Sequence, residues 1–460
     1  MAAVRPASPA AGWAAPGQAA AASRAGGSVD WVTRFGLVVM VAVLFAVSGG
    51  MLWLVGYNYD GLLGSPATKI HPSTYLLVLV FAWRSCTFGN PVGYMAAVAD
   101  RRPASALMAV ISVVLLVVVV VRHRPGMAGM VDTFVAAALL VLMLAEDDDR
   151  TFARLQTVVH AVMSANALLA LFEFATKTLV FPYRLDGEVF TDLRSTALQG
   201  HPLANATITA VYVLALLSGS RSLSMPLRLA LIGLQTAALV AFGGRSAMVT
   251  TLVLGGIYLL FSGVAYLRHG RVSLLGAALA VLLATLLPVA VALLFSYGFF
   301  DALLERFVSD SGSANARVEM FDLFKNLGLG DLIVGPDIDL IESMRRINGL
   351  EQGIENPIIR MVLYQGAFFT LLMLFGFVLF MHEVARRCHP GIWLPMLGWL
   401  ILLNTSETLA SKTTLLTKFV VLALVLYRPA RAGVKRPRDM HEFSTLVASD
   451  RPSLLRHPRA

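Results

Sequence analysis

The segment ASALMAVISVVLLVVVVV, at residues 104–121, decides the fold class because it contains no charged residue. Eighteen residues of α-helix are about 27 Å long, which is close to the ~30 Å hydrocarbon core of a bilayer. Similar apolar blocks recur along the chain, and a backbone in lipid must satisfy its hydrogen bonds internally. We therefore expect an all-α polytopic integral membrane protein.

The composition of the 460-residue chain agrees with this expectation. Hydrophobic residues make up 57% of the chain and charged residues only 14%, whereas a soluble domain has about 25% charged residues. The composition excludes a soluble enzyme, and the spread of basic residues over short connections excludes a nucleic-acid-binding surface. Cys86 and Cys388 are predicted to be free thiols, since two cysteines form neither a disulfide framework nor a metal site.

The apolar blocks predict about twelve transmembrane helices, with both termini on one side. The positive-inside rule makes that side cytoplasmic, because the connections 100–102, 268–271 and 386–387 and the tail 428–460 are basic. The connection Arg122-His123-Arg124 is an exception on the opposite side. The predicted spans are residues 32–56, 73–98, 104–121, 128–145, 153–177, 202–219, 227–242, 246–265, 272–298, 358–381, 391–404 and 411–427.

The spans divide the chain into five regions. The second span carries Phe88-Gly89-Asn90-Pro91 and is predicted to be kinked or broken there. The largest external loop includes Val318–Leu327, whose apolar residues are at helical spacing and predict an amphipathic helix. The regions are a disordered cytoplasmic N-terminus at 1–29, helices 1–9 within 30–298, the large external loop 299–357, helices 10–12 within 358–427, and a basic cytoplasmic tail at 428–460.

Two segments at the predicted outer ends of spans carry candidate anion-binding residues. Arg245 follows two glycines between spans 7 and 8, where its guanidinium can bind a phosphate or diphosphate through paired hydrogen bonds. The alternative is an arginine that contacts lipid headgroups. Arg194 begins a run that ends at His201 and Asn205, which share one helix face. Donor binding is one interpretation, and helix capping by His201 with interhelical bonding by Asn205 is the other.

A third group ends the large loop and begins span 10. Glu355 precedes Asn356 at a helix N-terminus, where a carboxylate stays charged and can act as a general base. Its structural alternative is a helix-capping acid paired with Arg360. Tyr364 lies one turn further along. Arg317, before the amphipathic segment, is either a second phosphate contact or a solvated loop residue.

Other ionisable residues within the predicted spans are candidates because charges at membrane depth are costly. Arg84, Asp132, His160 and Glu173 either line a cavity or pair between helices, and pairing is favoured. The Asp337-Ile-Asp339 pair is interpreted as solvated charge. No metal site and no cofactor are predicted.

The order of these segments resembles the O-antigen ligase and Wzy-type polymerase superfamily of bacterial polysaccharide synthesis, within which the VpsF-like exopolysaccharide proteins are most similar. The resemblance covers roughly residues 150–430. It departs from the family at Glu355-Asn356, where the family has His-Asn, and this suggests a carboxylate base instead. The matching residues are Arg194 with Gly200-His201-Pro202 and Asn205, Gly244-Arg245-Ser246-Ala247, Arg317, and Leu332–Pro336.

The resemblance implies a metal-independent, inverting glycosyltransferase at the periplasmic face of the inner membrane, with residues 299–357 as the periplasmic loop. Its donor would be an oligosaccharide linked by diphosphate to undecaprenol, and its acceptor a glycan hydroxyl. Arg245 would hold the diphosphate with help from Arg317, and Glu355 would be the base. The substrate-binding residues would be Arg194, His201, Asn205, Asn356, Arg360 and Tyr364.

Three functions are compatible with the sequence. The preferred one is a polymerase that joins lipid-linked repeats. The second is a ligase that transfers a finished glycan to lipid A core or to a protein. The third is a transporter or flippase of lipid-linked sugars, which the lack of an internal repeat disfavours. The resemblance also suggests a chain-length regulator or another assembly protein as a partner.

Overall fold

The computed structural model of the protein describes residues 30–61, 63–145, 149–189, 194–219, 223–268, 319–325, 327–350, 354, 356–404 and 411–429, with isolated positions between 278 and 301. These residues are mostly helical, and a two-stranded antiparallel hairpin of β1 (Arg184–Leu185) and β2 (Glu188–Val189) is the sheet they contain. Cys86 and Cys388 are free thiols, as predicted.

Many of the described helices are joined by connections of a few residues. They are α1 (Trp31–Ala46), α2 (Gly49–Leu54), α3 (Pro72–Thr87), α4 (Pro91–Arg101), α5 (Pro103–Val121), α6 (Met127–Met143), α7 (Asp149–Thr176), α8 (Pro202–Ser218), α9 (Met225–Phe242), α10 (Arg245–Arg268), α11 (Leu329–Val334), α12 (Ile338–Ile347), α13 (Pro357–Gln365), α14 (Ala367–Arg386), α15 (Trp393–Leu403) and α16 (Leu415–Leu426).

The helices confirm the predicted helical membrane protein in its coarse form. Five of them, α5, α7, α9, most of α10 (Arg245–Ala265) and α14, are long and apolar enough to cross a membrane. Shorter apolar helices, among them α1, α6, α8 and α16, coincide with further predicted spans. The predicted span 272–298 lies almost entirely outside the described residues. The count of twelve spans therefore stays a prediction.

Three predicted spans are broken into two helices. The second span breaks at Gly89-Asn90, as predicted, because Gly89 has a positive φ and Asn90 caps α4. The first span was expected to be continuous, but Ser48 ends it by capping α2. The tenth span breaks at Gly366, where a Cβ would approach the backbone nitrogen of Gly335 to 2.6 Å.

Helix α6 contains a π-helical stretch from Met130 to Val135. A π-turn holds one residue more than an α-turn, and such turns are frequent at functional sites. Asp132 and Thr133 lie in this stretch and are fully buried. Both side chains bond to connections outside α6, so the π-turn joins this helix to its neighbours.

The core is centred on α16, in which every residue from Leu415 to Leu426 is buried. This helix packs against α1, α6, α7, α8 and α14. The rings of Trp399 and Phe419 stack with their centroids 4.5 Å apart, which joins α15 to the same core. The apolar burial of α16 explains why Lys418, within it, has to find polar partners inside the bundle.

Polar contacts join the connections into two groups, one at each end of the bundle. One group consists of residues 47–61, 63–71, 122–126, 177–189, 194–201, 243–244 and 411–414 together with Lys418, and we call it the Asp60 end. There Gln199 Nε2 donates to the Phe45 oxygen (2.6 Å) and Thr133 Oγ1 donates to the Thr413 oxygen (3.0 Å).

The opposite group consists of residues 87–104, 387–392 and 427–429, and we call it the Glu383 end. Arg387 Nη2 donates there to the Arg101 oxygen at 2.9 Å. The hydroxyls of Ser218 and Tyr427 are 2.6 Å apart, which ties α8 to the end of α16. The bundle therefore has two polar ends separated by an apolar middle.

The described part of the large predicted loop has its own small apolar core. Helix α12 places Ile341 and Met344 against Ile359 and Leu363 of α13. The amphipathic helix predicted at Val318–Leu327 is wrong where the structure describes this segment. Its ordered element is a 3-10 turn at Asp322–Phe324, which buries Leu323 and leaves Phe321 58% exposed. The amphipathic helix of this region is α12.

Candidate functional site

The segment 194–201 is held in place by the carboxylate of Glu173, near the end of α7. Glu173 Oε2 accepts hydrogen bonds from Ser195 Oγ (2.5 Å) and from the backbone N–H groups of Thr196 and Ala197 (both 3.0 Å). Its other oxygen accepts from Val180 N at 2.9 Å. Glu173 is only 2% exposed. It therefore anchors the predicted donor-binding segment through both of its oxygens.

Asn205 and His201 have structural contacts of the kind given as their alternative interpretation. Asn205 is fully buried, and its Nδ2 donates to the Thr196 oxygen at 2.7 Å. Asn166 Nδ2 donates to Asn205 Oδ1 at 3.1 Å, which joins α7 to α8. His201 caps α8 through Nδ1, which accepts from Leu203 N at 3.2 Å. Substrate binding by these two residues stays a prediction.

Arg194 and Arg245 are brought to the same end of the bundle. The backbone N–H of Ser195 donates to the Ala241 oxygen at 3.3 Å, so the segment after Arg194 lies against the end of α9. A Cβ at Gly244 would overlap the Cβ of Ala206, which shows how closely this turn approaches α8. Both arginine side chains are partly exposed.

Asn356, Arg360 and Tyr364 form a separate group on α13. Asn356 caps this helix by accepting from the N–H groups of Ile358 (3.0 Å) and Ile359 (3.1 Å), so its side chain has a structural role. Tyr364 donates its hydroxyl proton to Glu342 Oε1 at 2.5 Å. The Arg360 guanidinium lies 5.5 Å from the Tyr364 ring centroid. Helix α12 thus holds Tyr364, and Arg360 is partly exposed beside it.

The exception to the positive-inside rule has a structural explanation. Arg124 donates to the backbone oxygens of Tyr364 (2.6 Å) and Gly335 (2.8 Å). Arg122 donates to the Val334 oxygen at 2.7 Å. Backbone oxygens at the end of a helix lack partners within it and carry partial negative charge. The two arginines are used to fasten α11 and α13 to the bundle.

Of the residues expected to pair between helices, Glu173 instead bonds to a connection, whereas Asp132, His160 and Arg84 each contact at least one other helix or its cap. Asp132 accepts hydrogen bonds from the hydroxyls of Tyr59 (3.0 Å) and Thr74 (2.8 Å) and from the N–H of His71 (2.9 Å). His160 Nδ1 and the Tyr212 hydroxyl oxygen are 2.5 Å apart. Arg84 pairs with Asp30 at 3.4 Å.

Three charged residues at the Asp60 end were not among the predicted site residues. Lys418 is 4% exposed and donates to Oε1 of Gln199, in the Arg194–His201 segment. Lys412 donates to the Tyr59 oxygen, and its amino group lies 4.3 Å from the centroid of the Tyr59 ring. Removal from water raises the pKa of Asp60 to about 6, although the charges of Lys412, Lys418 and Lys69 act to lower it.

A sequence signal existed for one of these residues. The rule that singled out Asp132 and Glu173, a charge inside an apolar block, applies equally to Lys418. Asp60 carried no such signal, since it follows the first apolar block in a polar connection. Its position beside the lysines depends on contacts between connections that are distant in sequence.

Hydrogen bonds connect both groups of predicted site residues to other parts of the bundle. Lys418 bonds to Gln199, which lies in the segment between Arg194 and His201. Gln365 of α13 donates to the Pro125 oxygen at 2.9 Å, close to the start of α6. The predicted base Glu355 and the predicted phosphate contact Arg317 lie outside the described residues.

Among the residues that the structure describes, no three His, Cys, Asp or Glu side chains group as a metal site would require. Asp337, interpreted from the sequence as solvated charge, caps α12 by accepting from Asp339 N at 2.8 Å. Comparisons of the chain with protein-family models, curated proteins and solved structures found no match.

Proposed function

We propose that the protein is a membrane glycosyltransferase that polymerises a polysaccharide. In this proposal it transfers an oligosaccharide from undecaprenyl diphosphate to a hydroxyl of an acceptor glycan. The observation that carries the proposal is the meeting of the Arg194–Asn205 segment and the Arg245 turn at one end of an apolar bundle. These are the two segments in which the resemblance to polysaccharide polymerases is densest.

The position of Arg245 supports a role in diphosphate binding. It is the first residue of α10, where backbone N–H groups and the helix dipole favour an anion. A guanidinium offers a fixed pair of donors to phosphate oxygens. Because the diphosphate gains negative charge as it leaves, a donor held in place beforehand stabilises the transition state more than the ground state.

The proposal includes a topology. The Asp60 end faces the periplasm, both termini are cytoplasmic, and about twelve helices cross the inner membrane. Arg317 assists at the diphosphate and Glu355 faces the acceptor, and both assignments rest on the sequence. Arg194, His201 and Asn205 shape the donor site, with Asn205 acting through the segment that it holds.

The test is a transfer reaction with purified protein. The donor is a lipid-diphosphate-linked oligosaccharide extracted from a strain of the source bacterium that lacks the protein. We expect a ladder of lengthening glycans on a gel, unchanged by a chelator. Transfer only after addition of lipid A core would instead indicate a ligase. No transfer to any acceptor would contradict an enzyme and favour a transporter.

Arg245 variants test the proposed contact. Arg245→Ala should abolish the ladder, and Arg245→Lys should lose most of the activity, since lysine keeps the charge but lacks the paired donors. Arg268→Ala, at the opposite end of the same helix, is the matched control and should leave the ladder unchanged. Near-normal activity of Arg245→Lys would contradict paired recognition of the diphosphate.

A further inference from the structure

The carboxylate of Asp60 lies beside the predicted donor segment. A Cβ at Gly49 would overlap Asp60 Oδ2, so the carboxylate rests against the backbone at the start of α2. Gly200 approaches the same place, because a Cβ there would lie 3.0 Å from the Cβ of Ser48 and 3.6 Å from the Gly49 nitrogen. The Asp60 carboxylate and Gly200, which precedes His201, therefore both pack against residues Ser48 and Gly49.

Asp60 differs from Asp132 and Asp186, two other carboxylates at its end of the bundle. Asp132 accepts hydrogen bonds from Tyr59, His71 and Thr74, and Asp186 accepts from Asn58 Nδ2 at 3.0 Å. Within the described part of the chain, no hydrogen bond reaches the carboxylate of Asp60, and only charges at longer range act on it. The residue is partly exposed. A partly exposed carboxylate without donors can accept a proton from a bound hydroxyl.

Three lysines surround Asp60 without pairing with it. Lys69 Nζ donates to the Asn58 oxygen at 2.8 Å, and Lys412 and Lys418 donate to a backbone oxygen and an amide oxygen. Lys69 comes from one segment and Lys412 and Lys418 from another, and all three act to lower the pKa of Asp60. Their charges oppose the effect of burial, which favours the protonated carboxyl group. The lysines thus favour the ionised form of a carboxylate whose lone pairs are free of donors in the described residues.

We propose that Asp60 is a catalytic base of the transfer reaction. The inference rests on the proposed function and names a residue for the proton that the acceptor loses. The proton of the acceptor hydroxyl passes to the Asp60 carboxylate while the acceptor oxygen forms a bond to the anomeric carbon. The bond from that carbon to the diphosphate oxygen breaks, and the diphosphate leaves with the electron pair. Asp60 then releases the proton to water.

The test compares Asp60→Asn with Asp60→Glu in single-turnover transfer from the extracted lipid-linked oligosaccharide. We expect Asp60→Asn to lower the rate by about 100-fold to 10,000-fold, the usual contribution of a general base. Asp60→Glu, which keeps the carboxylate, should recover part of this loss. Glu188→Gln, an exposed carboxylate of the nearby hairpin, is the matched control and should leave the rate unchanged.

Binding of undecaprenyl diphosphate separates a base from a structural residue. Its dissociation constant should change less than about threefold in Asp60→Asn, because a residue that acts only on the acceptor proton does not hold the donor. A rate for Asp60→Asn within about threefold of wild type would overturn the proposal. A loss of undecaprenyl diphosphate binding in Asp60→Asn as large as its loss of transfer rate would also overturn the proposal.

The pH dependence of the wild-type rate needs no variant. Below about pH 6 the rate should fall as Asp60 becomes protonated, and a rate independent of pH from about 5 to 8 would overturn the proposal. Burial lowers the pKa of His71 to about 3, so this neighbour stays neutral in that range. The titratable groups that act on Asp60 or feel its charge are Lys69, Lys412, Lys418, Tyr59 and Tyr183.

Two comparisons keep this inference separate from the proposed function. If wild-type protein transfers no sugar at all, the proposed function fails. If wild type transfers sugar and Asp60→Asn does too, only the assignment of the base fails. A large loss in Glu355→Gln with no loss in Asp60→Asn would return the role of base to Glu355.

Discussion

The two ends of the bundle use charged residues differently. At the Glu383 end, Glu383 accepts from Ala104 N (2.8 Å) and Ser105 Oγ (2.7 Å), and Arg428 pairs with Asp149 at 2.7 Å. At the Asp60 end, Lys412 and Lys418 bond to neutral oxygens, and their charges are not paired within the described residues. Charges inside a membrane protein are costly unless they are paired. Unpaired charges make the Asp60 end a candidate site, whereas the contacts of Glu383 and Arg428 join helices.

The largest effect is expected from Glu173→Ala. The substitution removes the acceptor of four hydrogen bonds to the 180–197 region, and buried donors left without a partner should destabilise the fold by about 3–5 kcal/mol. Thermal unfolding in detergent measures the loss. Transfer per folded molecule should fall as well, since the segment after Arg194 loses its anchor. An unchanged melting temperature would contradict the anchoring role.

Glu383→Ala is the corresponding change at the opposite end. Helix α5 has no side-chain cap of its own, so Glu383 supplies it from α14. Loss of this cap should cost about 2 kcal/mol. The transfer rate per folded molecule should stay at the wild-type value, in contrast to Glu173→Ala. A selective loss of transfer in Glu383→Ala would remove the distinction between the two ends.

Asp60→Asn should stabilise the protein above pH 6. The folded state raises the pKa of Asp60 from 3.8 to about 6, so it favours the protonated form. The stability that this preference contributes is present below about pH 4 and is lost as the pH rises through about 6. Asparagine mimics the neutral form and avoids that loss. Melting temperatures at about pH 8 should be about 2–4 °C higher in the variant, with little difference near pH 4.

The smallest effect is expected from Asp149→Asn. The Arg428–Asp149 pair lies at the Glu383 end, and Asp149 is 64% exposed. Exposed ion pairs contribute about 0–1 kcal/mol, so the melting temperature and the transfer rate should change little. The melting temperature in high and low salt provides the check. A large loss of transfer would show that the Glu383 end also carries function.

Much of the helical framework is predictable from the sequence, because apolar blocks end where prolines and polar residues begin. Helix α8, Pro202–Ser218, differs from its predicted span by one residue. The break at Ser48 is not predictable in this way, since both sides of it are apolar. It depends on Gly50, where a Cβ would approach the Pro182 oxygen to 2.6 Å.

The candidate site was predictable in part. The alternating direction of the predicted spans places Arg194 and Arg245 at one end of the bundle, and the structure brings their segments into contact. The structural bonds of Asn205 and Asn356 could be named as alternatives but not chosen, because the sequence does not show which donors face them. Asp60 was missed because its environment is formed by Gly49, Lys412 and Lys418, which only the tertiary fold brings together.

The central helix α16 has a consequence for the distance between the two polar ends. Its 12 residues rise about 18 Å, which is well short of the ~30 Å thickness of hydrocarbon. Because every residue of α16 is buried, protein and not lipid surrounds it, so its short length does not require a thinner bilayer. In the proposed topology, the two polar ends that α16 joins are therefore closer together than the hydrocarbon is thick. A polyprenyl lipid would then deliver its diphosphate to the Asp60 end without its tail leaving the hydrocarbon.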